Sequence, residues 1–346
     1  MPIGTSGAVK TLLPQDLYDV NTTIILGNTY HLFLRPGHDL IHRCGGLHKF
    51  MNWGKSILTD SGGFQVYSLA KLNKISDEGV KFQSHIDGSS HFITPEISME
   101  IQRSLGADII MAFDVCPPGE ATKETVMSAV DQTTKWIKRC KDHLDSSQPL
   151  YDWNQTMFPI IQGGIYPELR KNSVEEMVPY STCGIGIGGL AVGEDKMAMF
   201  ENIAMLDELL PNDQPRYLMG VGRPTDLVIA VQNGVDMFDC VLPTRNGRNG
   251  QLFTSKGVIN IQNSRYLDDF SCVDEECNCH LCNDYTKAYL RHLFNINEML
   301  GLRLASLHNI TYYMLLMKTI REKINEGEFS KWSVNYLNKY SHDQRM

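Results

Sequence analysis

The chain has no apolar run approaching the roughly 18 residues that a helical membrane span requires. Its first residues, MPIGTSGAVK, lack the charged segment followed by an apolar stretch that marks a secretory signal. No membrane association is therefore expected, and a cytoplasmic location is. Positive charge is not in surplus either. Against 32 Lys and Arg stand 40 Asp and Glu, a net charge of −8, so any RNA contact must come from a local basic patch. No low-complexity linker and no repeat larger than one strand–helix unit divides the 346 residues, a length that fits one large α/β domain or two medium ones. Cysteines are not arranged as a disulfide framework. In a reducing compartment the scattered ones read as free thiols in packed positions, and only Cys277, Cys279 and Cys282 form a cluster.

What is present is a repeated pattern: a short run rich in Ile, Val and Met, a polar or glycine residue at its end, then a helical stretch. Seven such runs are legible, Thr23–Leu26, Ser56–Thr59, Asp108–Phe113, Phe158–Ile161, Gly184–Ile187, Arg216–Met219 and Val235–Phe238. Short apolar runs of this kind read as strands buried on both faces. Between them lie helical patterns. Thr94 caps one with Pro95 at its first position, Thr122 caps Lys123–Leu144, and Pro224–Asn233 stops at Gly234. Alternating strands and helices indicate parallel βα units. An eight-stranded (β/α)8 TIM barrel then needs one more strand, and the only upstream material is Met1–Thr5, so the chain is expected to start at or inside a shortened first strand. After Asp239 the pattern changes. Residues 251–263 read as a β-hairpin about Lys256–Gly257, followed by the cysteine cluster and then by helices over Lys287–Leu300 and Ile310–Gly327. The expected organisation is a single barrel domain over residues 1–346. It carries a hairpin and zinc-binding insertion over 251–312 and a C-terminal helical segment over 313–346.

In a barrel, side chains at the C-terminal strand ends converge on one mouth. Here those positions hold Asp60, Asp114, Gln162, Gly189, Gly220 and Asp239. An acid after a strand is often only a helix cap, but three of them with a carboxamide and two glycines argue for a shared pocket. Several carboxylates in one pocket suit chemistry at a sugar carbon. One attacks or stabilises the anomeric centre while another moves a proton at the leaving group, and crowding splits their pKa values so that the roles separate. Beyond Asp239, Arg245 and Arg248 stand in a Gly/Asn-rich stretch that reads as a loop at the barrel mouth. A solvated surface loop is the plain alternative, but arginines beside a candidate nucleophile could grip phosphate or a base edge.

The spacing Cys277-x-Cys279-x2-Cys282 places three thiolates within reach of one tetrahedral zinc that needs a fourth ligand. His280, His292 and His308 are candidates. His280 lies inside the chelate loop, where it would be strained, and His292 is on a helix. His308 follows an apolar turn at the opening of a helix read from Asn309, which favours it. Four protein ligands would close the site and make it structural.

At this point several strings together resemble the tRNA-guanine transglycosylase family along nearly the whole chain: LTDSGG (58–63), MAFD (111–114), QGG (162–164), GGLAVGE (188–194), YLMGVG (217–222), FDCVLPTR (238–245) and the cysteine cluster with a later His-Asn. The resemblance implies exchange of the wobble guanine of tRNAs with a G-U-N type anticodon for a 7-deazaguanine on the route to queuosine. Carried over residue by residue, Asp239 corresponds to the nucleophile that bonds to ribose C1′ and Asp60 to the general acid/base. Ser61, Gly62 and Gly63 line the base pocket, and Asp114, Gln162, Gly189 and Leu190 read the base edge. Phe64 and Met219 sandwich the ring. Gly220, Val221, Gly222, Arg223, Pro224, Thr225 and Asp226, with Thr244, Arg245, Asn246, Gly247 and Arg248, correspond to RNA-contacting loops. Cys277, Cys279, Cys282 and His308 correspond to ligands of one structural Zn2+ per chain, and a homodimer is implied.

The physics agrees. Guanine offers N1–H and a 2-amino group side by side to one carboxylate, and its O6 needs donors such as an amide or a glycine N–H. The nucleotide must leave its stack to reach such a pocket. The sequence departs from the family in places. Bacterial members begin earlier in sequence. Phe64 resembles the eukaryotic version, whereas Cys116 and Val192 resemble the bacterial one and Val115 stands where bacteria often carry an acid. Val192 narrows the room for a bulky substituent, so 7-aminomethyl-7-deazaguanine is expected as the incoming base ahead of queuine. Two rival readings are a non-catalytic tRNA-binding partner subunit, which should lack the nucleophile, and a TIM-barrel glycoside hydrolase, which would not call for the cysteine cluster.

Overall fold

A computed structural model describes residues 1–69 and 73–343. Eight parallel strands close a TIM barrel: β1 (Ile3–Gly4), β2 (Ile24–Gly27), β3 (Ser56–Thr59), β4 (Ile109–Met111), β5 (Thr156–Phe158 and Ile160–Ile161, parted at Pro159), β6 (Ile185–Ile187), β7 (Arg216–Leu218) and β8 (Met237–Phe238). The two halves of the sheet join at β5. Phe158 accepts from Ala112 N at 3.0 Å on one side, and Pro159 from Gly186 N at 2.8 Å on the other. The ring is completed where the Met1 amino group donates to Phe238 O at 2.5 Å. The N-terminal residues thus supply the eighth strand, as expected. The barrel interior is filled by Leu26, Leu58, Met111, Phe158, Ile160 and Tyr217, so it is a packed core and not a pore.

The outer helices start where the sequence placed them. Thr94 caps Pro95–Leu105, which ends at Gly106 in the left-handed region, and Thr122 caps Lys123–Ser146. Pro224–Gln232 follows the pattern read for it. Trp136 from the second of these helices stacks on Phe113, ring centroids 4.9 Å apart, and both are fully buried. That contact fixes the segment just before Asp114.

Four features differ from the sequence reading. Residues 73–93 fold as a small antiparallel sheet, Asn73–Ile75, Val80–Gln83 and Ser90–Ile93. Its apolar alternation covers only Val80 and Phe82, too short to register. The hairpin pairs Gln251–Thr254 with Gly257–Asn260 about Ser255–Lys256, one residue earlier than read. The stretch read as one helix over 287–300 breaks at Ile296–Glu298, where Asn297 adopts φ 56°, and a single long helix runs Met299–Asn325. The 312/313 boundary therefore falls within one helix. Finally, the Gly/Asn-rich stretch at Thr244–Arg248 is not a loop. It is the helix Leu242–Arg248, because Gly247 lets it lie directly on the long helix. A Cβ there would stand 2.9 Å from the Ala305 carbonyl carbon. No helix of the described residues is long and apolar enough to cross a membrane.

Candidate active site and metal cluster

Each barrel strand delivers its next residues to the same mouth. Asp60, directly after β3, is 7% exposed. It accepts from Asn28 Nδ2 at 2.6 Å and from Thr29 N at 2.8 Å, and its own carbonyl accepts from Thr29 Oγ1. The turn after β2 therefore clasps it. Burial pushes its carboxyl up to about 7, against the Thr29 amide and with help from the charges of Asp239 and Asp114.

Asp114, after β4, is also buried. Ser61 Oγ donates to Oδ1 and Gln162 Nε2 to Oδ2, both at 2.7 Å. Burial again raises the carboxyl, opposed by those two donors. Gly63 must be small because a Cβ would lie 2.5 Å from Asp114 O. Gln162 in turn needs Gly189, which adopts φ +65° and whose Cβ would fall 2.2 Å from Gln162 Oε1. Leu190 is buried beside it.

Asp239, after β8, is only half-buried. Tyr217 OH donates to Oδ1 at 2.5 Å and Gly220 N to the same oxygen at 2.9 Å. Burial lifts the Tyr217 hydroxyl well above its ordinary value, so it stays a proton donor. With both donors on Oδ1, Oδ2 accepts no hydrogen bond among the described residues. A carboxylate held by two donors yet open on one side can act as a nucleophile. A buried one with a proton near neutrality can act as an acid or a base.

Phe64 is 43% exposed at the rim, on the helix Gly63–Leu69, and Met219 is half-buried after β7. In the expected RNA segments, Gly220, Arg223 and Arg245 are exposed and Thr225, Asn246 and Arg248 half-buried. Val221, Gly222, Pro224, Thr244 and Gly247 are buried. So is Asp226, held by Lys196 Nζ at 2.8 Å. The sequence did not single out Asn28, Thr29 or Tyr217. Asn28 was visible as the polar end of a strand. Tyr217 was not, because it sits inside an apolar run.

Away from the mouth, Cys277, Cys279, Cys282 and His308 bring four ligand atoms within 4.8 Å of one another, all buried. His308 Nδ1 lies 3.5 Å from Cys279 Sγ and 3.3 Å from Cys282 Sγ. Ligands of a tetrahedral zinc, at bond lengths near 2.3 Å to sulfur and 2.0 Å to nitrogen, stand about 3.5 Å apart. His308 Nε2 meets Phe253 O at 2.8 Å. The carbonyl demands an N–H there and so turns the bare Nδ1 lone pair to the thiols, the outer support that metal-bound histidines use. The cluster can hold a metal ion. His308 does not open a helix as expected. It projects from within Met299–Asn325, a position that points it at the cluster. His280 is exposed beside Asp284, 3.5 Å away, and His292 is exposed on the helix Lys287–Asn295.

The family model described as queuine tRNA-ribosyltransferase matches residues 1–342. Among curated proteins, the chain is 52% identical over 341 residues to a queuine tRNA-ribosyltransferase of Caldanaerobacter subterraneus subsp. tengcongensis, covering 98% of this chain and 89% of the relative. It is 50% identical over 344 residues to the one of Thermoanaerobacter sp. (strain X514), covering 99% and 90%. It is 50% identical over 345 residues to that of Dictyoglomus turgidum, covering 100% and 88%.

Proposed function

Since the chain belongs to the queuine tRNA-ribosyltransferase family, we propose that it is a tRNA-guanine transglycosylase working by double displacement through a covalent Asp239–ribose intermediate. The observation that carries this is the division among three carboxyls at one mouth. Asp239 is half-exposed with both donors on one oxygen, while Asp60 and Asp114 are buried and raised.

In the first step Asp239 Oδ2 attacks C1′. The C1′–N9 bond breaks, and the electron pair leaves with guanine, which takes the proton that Asp60 holds. In the second step N9 of the incoming base attacks C1′, the ester bond to Asp239 breaks, and the N9 proton passes back to Asp60. Two inversions retain the configuration at C1′. Asp114 reads N1–H and the 2-amino group once Ser61 and Gln162 yield its oxygens, and the Gln162 amide and the backbone at Gly189–Leu190 read O6. Phe64 and Met219 flank the ring. The exposed side of the RNA segments, Arg223 and Arg245 foremost, contacts tRNA with a G-U-N type anticodon.

We favour 7-aminomethyl-7-deazaguanine over queuine as the incoming base. Val192 is pinned from both sides, its N–H on Glu194 Oε2 at 2.9 Å and its carbonyl on Gly119 N at 3.1 Å, so it cannot swing away from a bulky substituent. The Cys3His cluster holds a structural zinc, which when bound would tie the hairpin Gln251–Asn260 to the long helix. The enzyme acts as a homodimer in the cytoplasm.

The test is incubation with tRNA and radiolabelled guanine, followed by competition among guanine, 7-aminomethyl-7-deazaguanine and queuine. Label entering tRNA supports exchange. Asp239→Ala should abolish the protein–tRNA adduct on denaturing gels, and an adduct surviving in that variant removes Asp239 from the role.

A further inference from the structure

Beneath the pocket lies a charged group that the reaction above does not use. Arg170, on the first turn of the helix Pro167–Met177, is completely buried. Two arms of its guanidinium are engaged, Nε on Gly164 O at 2.9 Å and one terminal nitrogen on Ile161 O at 3.2 Å. The other terminal nitrogen has no protein hydrogen-bond partner. Glu194, whose charge it feels, is occupied by the amides of Ala191 and Val192. Gln162 Oε1 is likewise buried and unpartnered.

The two orphaned atoms lie near the same point. A single point, the Cβ position at Gly189, is 2.2 Å from Gln162 Oε1 and 3.6 Å from the free Arg170 nitrogen. They are no further apart than those distances combined, a range over which a buried guanidinium charge acts on an amide oxygen without a direct hydrogen bond. An unpaired buried donor and an unpaired buried acceptor are each costly alone, and a positive charge near the amide oxygen offsets part of that cost.

We propose that Arg170 is a positioning residue that fixes the polarity of the Gln162 carboxamide. The guanidinium charge keeps the oxygen end on its own side, so that once Asp114 has traded the Gln162 N–H for the base edge the amide still offers the pocket an N–H. Burial lowers the Arg170 guanidinium to about 10, which leaves it charged at neutral pH. A fixed N–H suits a 6-oxo purine such as guanine and rejects a 6-amino purine, whose exocyclic group also donates. Without Arg170 the amide can turn over and accept instead. The inference rests on the base-exchange reading.

The experiment measures kcat/KM for guanine, and inhibition of labelled-guanine entry into tRNA by 2,6-diaminopurine, in the wild type, Arg170→Met and Arg170→Lys. The expected result is a rise of about tenfold in KM for guanine with a smaller change in kcat, the loss of one hydrogen bond. The preference for guanine over 2,6-diaminopurine should narrow by a similar factor. That preference is a ratio, so it does not depend on the fraction of folded enzyme. Arg170→Lys keeps a charge for the Gly164 and Ile161 carbonyls but has no second arm for Oε1. It should shift the ratio in the same direction with less loss of stability. Combining either variant with Gln162→Ala should add nothing to the effect of Gln162→Ala alone. A preference unchanged in both Arg170 variants, or additive effects in the double variant, overturns the proposal. A wild type that never incorporates guanine overturns the base-exchange reading itself, a separate outcome.

Discussion

The proton on Asp60 has a consequence for stability that can be read without any substrate. Its carboxyl rises from 3.8 to about 7 on folding. A group whose folded pKa is raised contributes stability that is fully present below the unfolded value and is lost as pH climbs through the folded one. The folded chain therefore holds one more proton than the unfolded chain between pH 3.8 and about 7, and the complete shift corresponds to about 4 kcal/mol. Solvent screens little of this, because Asp60 is 7% exposed. A window from about pH 5.5 to about pH 8.5 brackets the folded value, and the share lost across it is about 2 kcal/mol.

The perturbation is Asp60→Asn, which cannot ionise. Its single amide oxygen can accept from only one of Asn28 Nδ2 and Thr29 N, a loss that shifts stability by a constant amount, but the pH dependence of that one group disappears. Urea unfolding of both proteins across the window should show the wild type losing about 2 kcal/mol relative to the variant as pH rises. Adding Asp239→Asn to both members of the pair removes a negative neighbour of Asp60, and the loss should shrink. A difference between wild type and Asp60→Asn that stays flat across the window would refute the raised carboxyl, and with it the idea that Asp60 carries the proton given to the leaving base.

Three further outcomes are expected. Cys279→Ala should lower zinc content and lower Tm by roughly 10 °C, since metal binding and folding are coupled at such a site; a fully metallated, equally stable variant counts against the ligand set. Asp114→Asn should reduce kcat/KM for guanine by roughly 10- to 100-fold, because an amide cannot accept two hydrogen bonds along one edge; unchanged guanine kinetics contradict the assignment. Gly189→Ala puts a methyl 2.2 Å from Gln162 Oε1 at a φ of +65°, and guanine binding should fall more steeply than Tm; equal losses would mean the glycine serves only the backbone.

The barrel was legible because strands buried on both faces must be apolar and must end where the chain meets water. Both facts are local and survive in one sequence. The strand ends therefore located Asp60, Asp114, Gln162 and Asp239 together. The clasp on Asp60 was not legible, since Asn28 and Thr29 reach it across neighbouring strands and nothing local sets their partner. Tyr217 was hidden by its apolar surroundings, because periodicity reports burial and not where a hydroxyl points. Arg170 reads as an ordinary helical arginine until the turn at Gly163–Gly164 folds it underneath the pocket. The helix Leu242–Arg248 was misread for the opposite reason. Its Asn and Gly residues are poor helix formers, and only close packing on Ala305 makes glycine the residue the position needs.

In the proposed reaction the three carboxyls cannot exchange roles, and the reason is burial joined to donor count. Asp114 is filled on both oxygens by Ser61 and Gln162, so it is shaped to trade two donors for the two a guanine edge presents. Asp60 receives two donors as well, but it also lies within the field of Asp239 and Asp114, so it is the member whose charge is least tolerated and whose proton is cheapest to keep near neutrality. Asp239 alone is partly open to water and has its donors on one oxygen. That leaves the other oxygen to attack. Asp239 could not serve in place of Asp60, because it is not enclosed as Asp60 is. Nor could Asp60 serve as the nucleophile, because its negative form is the one the site opposes. The order of events in the proposed reaction follows: the anion attacks, the buried acid gives up its proton to the departing ring, and the incoming ring restores it.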